Sequence, residues 1–121
     1  MGAVYDVNME IKYNSKRKII KATKDFMKSR KYARFEHYGD HRTLVGFIKD
    51  IITDREFDNS YKDNGYEFYE SHFDASYGWE SVMVDWFKSI AAFLDDNSYI
   101  KIFPDTGRRY LYVKNGMALE E

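Results

Sequence analysis

Cysteine is absent from the 121 residues of this chain. That removes disulfides, thiol nucleophiles and cysteine-based zinc sites together, and it fits a reducing compartment. Long apolar runs are also missing, and none approaches the roughly 20 residues that a membrane-spanning helix needs. Residues 1–13 alternate polar and apolar types and lack the hydrophobic block of a signal peptide. The expectation is a soluble, cytoplasmic protein. Signatures of common chemistries are missing too: there is no P-loop, no G-x-G-x-x-G, no G-x-S-x-G and no H-E-x-x-H. There are no internal repeats, proline occurs once, at Pro104, and the glycines sit where turns want them. The chain reads as one domain, residues 1–121, without a cofactor and without enzymatic activity.

Aromatic residues are plentiful: eleven Tyr, nine Phe and two Trp make up 18% of the chain. Tyrosine can bury its ring and keep its hydroxyl wet, so a Tyr-rich sheet face and a Tyr-coated binding surface both fit. The net charge of -1 conceals a segregation. Residues 11–34 carry ten basic side chains against Asp25 alone, while residues 50–96 carry twelve acids against Arg55, Lys62 and Lys88. Two oppositely charged surfaces, or two halves that neutralise each other, follow from that pattern.

The chain is organised around a helix predicted over 78–95. Trp79, Val82, Met83, Trp86, Phe87, Ile90, Phe93 and Leu94 recur at helical spacing and form a wide apolar stripe. Residues 4–13 alternate with period two, Tyr5, Val7, Met9, Ile11 and Tyr13 on one side and Asp6, Asn8, Glu10 and Lys12 on the other, as in a strand with one buried and one wet face. Asn14-Ser15 offers a cap for a basic helix reaching about residue 31, with Ile19, Ile20, Thr23, Phe26 and Met27 inward. Residues 43–53 read as a short helix with Leu44, Phe47, Ile48, Ile51 and Ile52 inward, although their β-branched content also permits a strand, and 54–65 read as a polar surface loop closed by Asn64-Gly65. Strands follow over 66–73, where a bulge is compatible with the blurred alternation, and over 99–103 and 108–114, with 117–119 as a short further strand after Asn115-Gly116. The order β-α-α-β-α-β-β predicts an α+β fold: a two-layer sandwich with a mainly antiparallel sheet of four to five strands and helices on one face.

The run F-D-A-S-Y-G-W-E-S-V-M-V-D-W-F-K-S-I-A-A-F-L, the following D-D-N-S-Y-I-K-I-F-P-D and the opening M-G-A-V-Y-D-V-N-M-E resemble a group of small uncharacterised proteins carried by phages and other mobile elements of Gram-positive bacteria. The resemblance implies an accessory protein of a mobile element, a class that includes anti-defence inhibitors such as anti-CRISPR proteins. It brings no catalytic residue with it.

Several constellations invite chemistry. His37, Asp40 and His41, with His72, form the sole metal-like cluster. Gly39 between the two neighbouring histidines argues against a shared helix, so solvated turn histidines are the better account and no metal is assigned. Glu67, Glu70 and Asp74 are close in sequence, but spacing alone does not make an acid–base pair. Tyr77-Gly78-Trp79 resembles an anion-binding helix start, although a tight turn explains it as well. Two binding readings remain. In the first, the acidic segment makes protein–protein contact with an unidentified host or phage protein through Glu67, Glu70, Asp74, Tyr69 and Tyr77. In the second, Lys16, Arg17, Lys21, Lys24 and Lys28 track the phosphates of a nucleic acid, with Tyr32 and Phe35 available for stacking. An unpaired strand edge or an exposed aromatic patch is equally compatible with a homodimer.

Overall fold

The computed structural model describes residues 3–30, 44–48, 51–52, 59–75, 78–104 and 107–121. The elements in chain order are β1 (Ala3–Ile11), α1 (Lys16–Arg30), α2 (Leu44–Ile48), β2 (Asn59–Asp63), β3 (Tyr66–Ala75), α3 (Trp79–Ile90), β4 (Tyr99–Pro104), β5 (Arg109–Lys114) and β6 (Met117–Glu120). The strands form one sheet in the order β2-β3-β1-β4-β5-β6, and every pairing is antiparallel. The α+β sandwich is therefore as the sequence predicts.

The sheet has one strand more than expected. Residues 54–65 do not form a loop throughout, because Asn59–Asp63 is an edge strand paired to β3. Its five residues, Asn-Ser-Tyr-Lys-Asp, are mostly polar and show no apolar alternation, so only the turn announces it. Asn64 and Gly65 have φ of 53° and 83°, the left-handed pair of a tight hairpin turn, and Asn115 and Gly116 repeat the device between β5 and β6.

Alternation in β1 decides which way the sheet faces. Tyr5, Val7, Met9 and Ile11 are fully buried, as are Ile100, Ile102 and Leu111 beside them. They join one core with Met83, Trp86, Phe87 and Ile90 of α3. That helix is shorter than predicted. It ends at Ile90 and tightens into a 3₁₀ turn at Ala91–Phe93, and Leu94 bridges back to Tyr13. Gly78 precedes it at φ 90°, a left-handed conformation that glycine adopts without strain. Val84 is buried as well, although it lies off the predicted stripe, and it belongs to the same core.

The joint between α1 and α3 is polar at its centre. Ser15 caps α1 as expected, its hydroxyl accepting from the Lys18 amide at 3.3 Å. About two turns further on, the Trp86 indole N–H donates to the Thr23 hydroxyl at 3.0 Å, and that hydroxyl donates to the Ile19 carbonyl at 2.8 Å. Thr23 and Trp86 are both fully buried, so each donor needs its acceptor. At the other end of α3 the Trp79 indole donates to the Ile51 carbonyl at 3.0 Å, fastening residues 51–52 to the helix start. Ile51, Ile52, Phe47 and Ile48 are fully buried, as the predicted short helix requires.

Replacing Thr23 with Val keeps the volume and strands the Trp86 indole N–H in the core. The expected cost is about 1–3 kcal/mol, read as a lowered urea midpoint with an unchanged m-value. A Thr23→Ser variant keeps the acceptor and loses less.

Candidate protein-contact surface

Helices cover one face of the sheet, and no described element covers the other. Antiparallel register sets the side chains of this open face in rows. One row runs Glu70, Asn8, Lys101, Tyr110. The next runs Phe68, Glu10, Tyr99, Tyr112, Leu119, and on the other side lie His72, Asp6 and Phe103. Alternation in β4 (Y-I-K-I-F-P) and β5 (R-Y-L-Y-V-K) is what turns Tyr99, Lys101, Phe103, Tyr110, Tyr112 and Lys114 outward, because Ile100, Ile102, Leu111 and Val113 are buried.

The face has two characters. Over β3 and β1 it is acidic, with Asp6, Glu70 and Asp74 exposed, Glu10 half-buried, and Lys12 the counter-charge at one end. The His72 imidazole hydrogen-bonds Asp6 across the strands. Asp6, Asn8, Glu70, Ser71, His72 and Phe103 line a shallow depression of about 370 Å³. Over β4 and β5 the face is aromatic and basic. Tyr110 stacks against Tyr112 with centroids 5.9 Å apart, and Tyr99 leans on Tyr110 at the same distance. The Lys101 ammonium lies 5.2 Å and 5.5 Å from the Tyr99 and Tyr110 centroids, within cation–π reach.

This surface departs from the residues the sequence suggested. Glu70 and Asp74 are exposed on it. Glu67 and Tyr69 are not: they are 8% and 3% exposed and belong to the helix-side face. β3 pairs with β1 without a break from Glu67 to Ala75, so there is no bulge, and residues of opposite parity cannot share a side. Tyr77, His37, Asp40 and His41 lie outside the described residues, as do Tyr32 and Phe35. Among the described residues no three His, Asp or Glu side chains gather in a way that would hold a metal. The aromatic–lysine cluster of β4 and β5 escaped the sequence reading, although the same alternation that marked the strands also points it outward.

Glu67 has a different task. Its two carboxylate oxygens accept hydrogen bonds from the hydroxyls of Tyr13 at 2.8 Å and Tyr69 at 2.7 Å. A carboxylate this far from water is tolerated because such donors replace its hydration. The Tyr5 hydroxyl likewise donates to Glu80 at 2.7 Å, tying β1 to the first turn of α3. Burial, reinforced by the neighbouring carboxylate, pushes the Tyr5 hydroxyl up to about 12. Tyr13 and Tyr69 are raised further above their ordinary value of 10.0, by burial first and by Glu67 second.

The basic helix is on the helix side, away from the open face. Lys16, Arg17, Lys21, Lys24 and Lys28 are all exposed. Lys21 pairs with Asp25 at 3.1 Å, and the Lys24 ammonium lies 6.0 Å from the Phe47 ring. No helix among the described residues is long and apolar enough to cross a membrane. Comparison with protein families, with curated proteins and with solved structures finds no match for this chain.

The tyrosines set a pH dependence. Because their folded-state values lie above the unfolded ones, their contribution is complete below about pH 10 and is lost as pH rises through the raised values. The expected result is a urea midpoint that holds steady to about pH 10 and then falls. A Tyr13→Phe/Tyr69→Phe variant falls less steeply there. At neutral pH it is less stable by about 1–3 kcal/mol for each hydrogen bond that Glu67 loses.

Proposed function

We propose that this chain is a non-enzymatic binding protein that acts in the cytoplasm by protein–protein contact, and that the open face of the sheet is its contact surface. The observation that carries the reading is a six-stranded sheet with one face left uncovered by any described element, on which exposed carboxylates adjoin a cluster of tyrosines and a lysine. Tyrosines supply large, rigid contact area at low entropic cost, and a face that mixes them with charge suits a protein partner. The resemblance of residues 73–105 to accessory proteins of phages and mobile elements supports a more specific role, the inhibition of a host defence protein in the manner of anti-CRISPR proteins.

The test is affinity capture from a host lysate by the wild-type chain and by surface variants. Wild type is expected to retain a stoichiometric partner that Glu70→Lys/Asp74→Lys or Tyr110→Ala loses and Lys21→Glu/Lys24→Glu keeps. A partner retained equally well by the Glu70→Lys/Asp74→Lys protein would overturn the reading.

A second reading rests on α1, whose row of exposed Lys16, Arg17, Lys21, Lys24 and Lys28 meets a single exposed acid, Asp25, within the helix. That reading assigns nucleic-acid binding to the helix. It expects affinity for duplex or single-stranded nucleic acid to fall with salt at a log–log slope of several units, and the Lys21→Glu/Lys24→Glu variant to lower both affinity and slope. Absence of binding at low salt removes it.

A further inference from the structure

The two halves of the open face complement each other. We propose that a second copy of this chain occupies it, packed face to face about a twofold axis that runs along the strands between β1 and β4. The inference rests on the reading of this face as a contact surface and names its occupant.

Register fixes what such an axis brings together. Asn8 pairs with Lys101 across the β1–β4 seam, Asp6 with Phe103 and Glu10 with Tyr99. A twofold axis along that seam exchanges these partners between copies. Lys101 of one copy comes opposite Asn8 of the other, at the depression that Asp6, Asn8 and Glu70 line. One strand further out in the same row, Glu70 comes opposite Tyr110. The acidic half of each copy therefore covers the aromatic and basic half of its partner, and the symmetry makes every such pair twice. A twofold axis set across the strands would lay β3 on β3 and β1 on β1, acid on acid. Charge thus selects one of the two in-plane axes.

The size and composition of the face agree. Strands about 4.8 Å apart that rise about 3.3 Å per residue give this sheet a face of roughly 600 Å² per copy, or about 1,200 Å² for the pair, the lower bound of a stable interface. Val4 and Leu119 are 37% exposed and Met117 64%, all of them on this face. Two sheets so packed form a sandwich with the usual separation of about 10 Å. Nucleic acid is the poorer occupant, because its phosphates would meet Asp6, Glu70 and Asp74.

Sedimentation equilibrium of the full chain, from micromolar to near-millimolar concentration, is the experiment. The wild type is expected to dimerise reversibly. Lys101→Glu drives a carboxylate into an acidic depression, and Glu70→Lys removes the charge that receives Lys101. Each is expected to weaken the dimer by more than about tenfold. A single chain carrying both changes regains the complementarity at both symmetric positions, and its dissociation constant is expected to return to within a few-fold of wild type. All three variants change side chains on the open face, and circular dichroism checks that they remain folded. Two results overturn the pairing: a wild type that stays monomeric throughout, or a dimer in which the double variant is no tighter than the singles. Neither bears on the contact reading itself, which falls separately if a captured heterologous partner survives reversal of Glu70 and Asp74.

Discussion

β1 is paired on both sides, to β3 and to β4, and its strict alternation is the constraint from which the rest of the molecule follows. Tyr5, Val7, Met9 and Ile11 have no exposure at all, so the helices must lie on their side. Because side chains repeat every two residues along a strand, this one choice propagates through register to all six strands. It buries Ile100 and Leu111, and it leaves Lys101, Tyr110 and Tyr112 outside. It also separates the acids of β3, with Glu67 on the core side and Glu70 and Asp74 on the other.

On the core side, polar groups locate the helices within an otherwise apolar layer. Hydrophobic burial is non-directional and would tolerate a helix that slides or rotates. The bonds from Trp86 to Thr23, from Trp79 to Ile51 and from Tyr5 to Glu80 are directional, and each joins different segments of the chain. Leaving any of these groups unpaired costs more than forming the bond contributes. Glu67 does the same for the end of the sheet, holding Tyr13 and Tyr69 together. The buried tyrosines therefore belong to the scaffold. Tyr99, Tyr110 and Tyr112 are the ones that alternation turns outward, onto the open face.

The open face is where the aromatic richness and the charge segregation meet. Its acidic part comes from β1 and β3 and its basic, tyrosine-rich part from β4 and β5. The strong positive charge of the N-terminal half is elsewhere, on the exposed side of α1, directed away from this face. A protein of nearly zero net charge thus presents surfaces of different electrostatic character in different directions.

Local periodicity in the sequence was enough to place β1, α1, α3 and the β4–β5 hairpin within a few residues of their observed bounds, and to name most of the core. Those features depend on one segment's own spacing of apolar residues, which is legible without knowing what the segment touches. β2 was not legible, because an edge strand is held by backbone hydrogen bonds and needs no apolar pattern. The role of Glu67 was not legible either. A carboxylate reads as exposed until its donors are known, and these come from Tyr13, 54 residues away, and from Tyr69. Which acids and tyrosines share a surface was decided by the register of neighbouring strands, a long-range property. The composition of the open face, Glu70 and Asn8 beside Lys101 and Tyr110, is therefore set by tertiary structure alone.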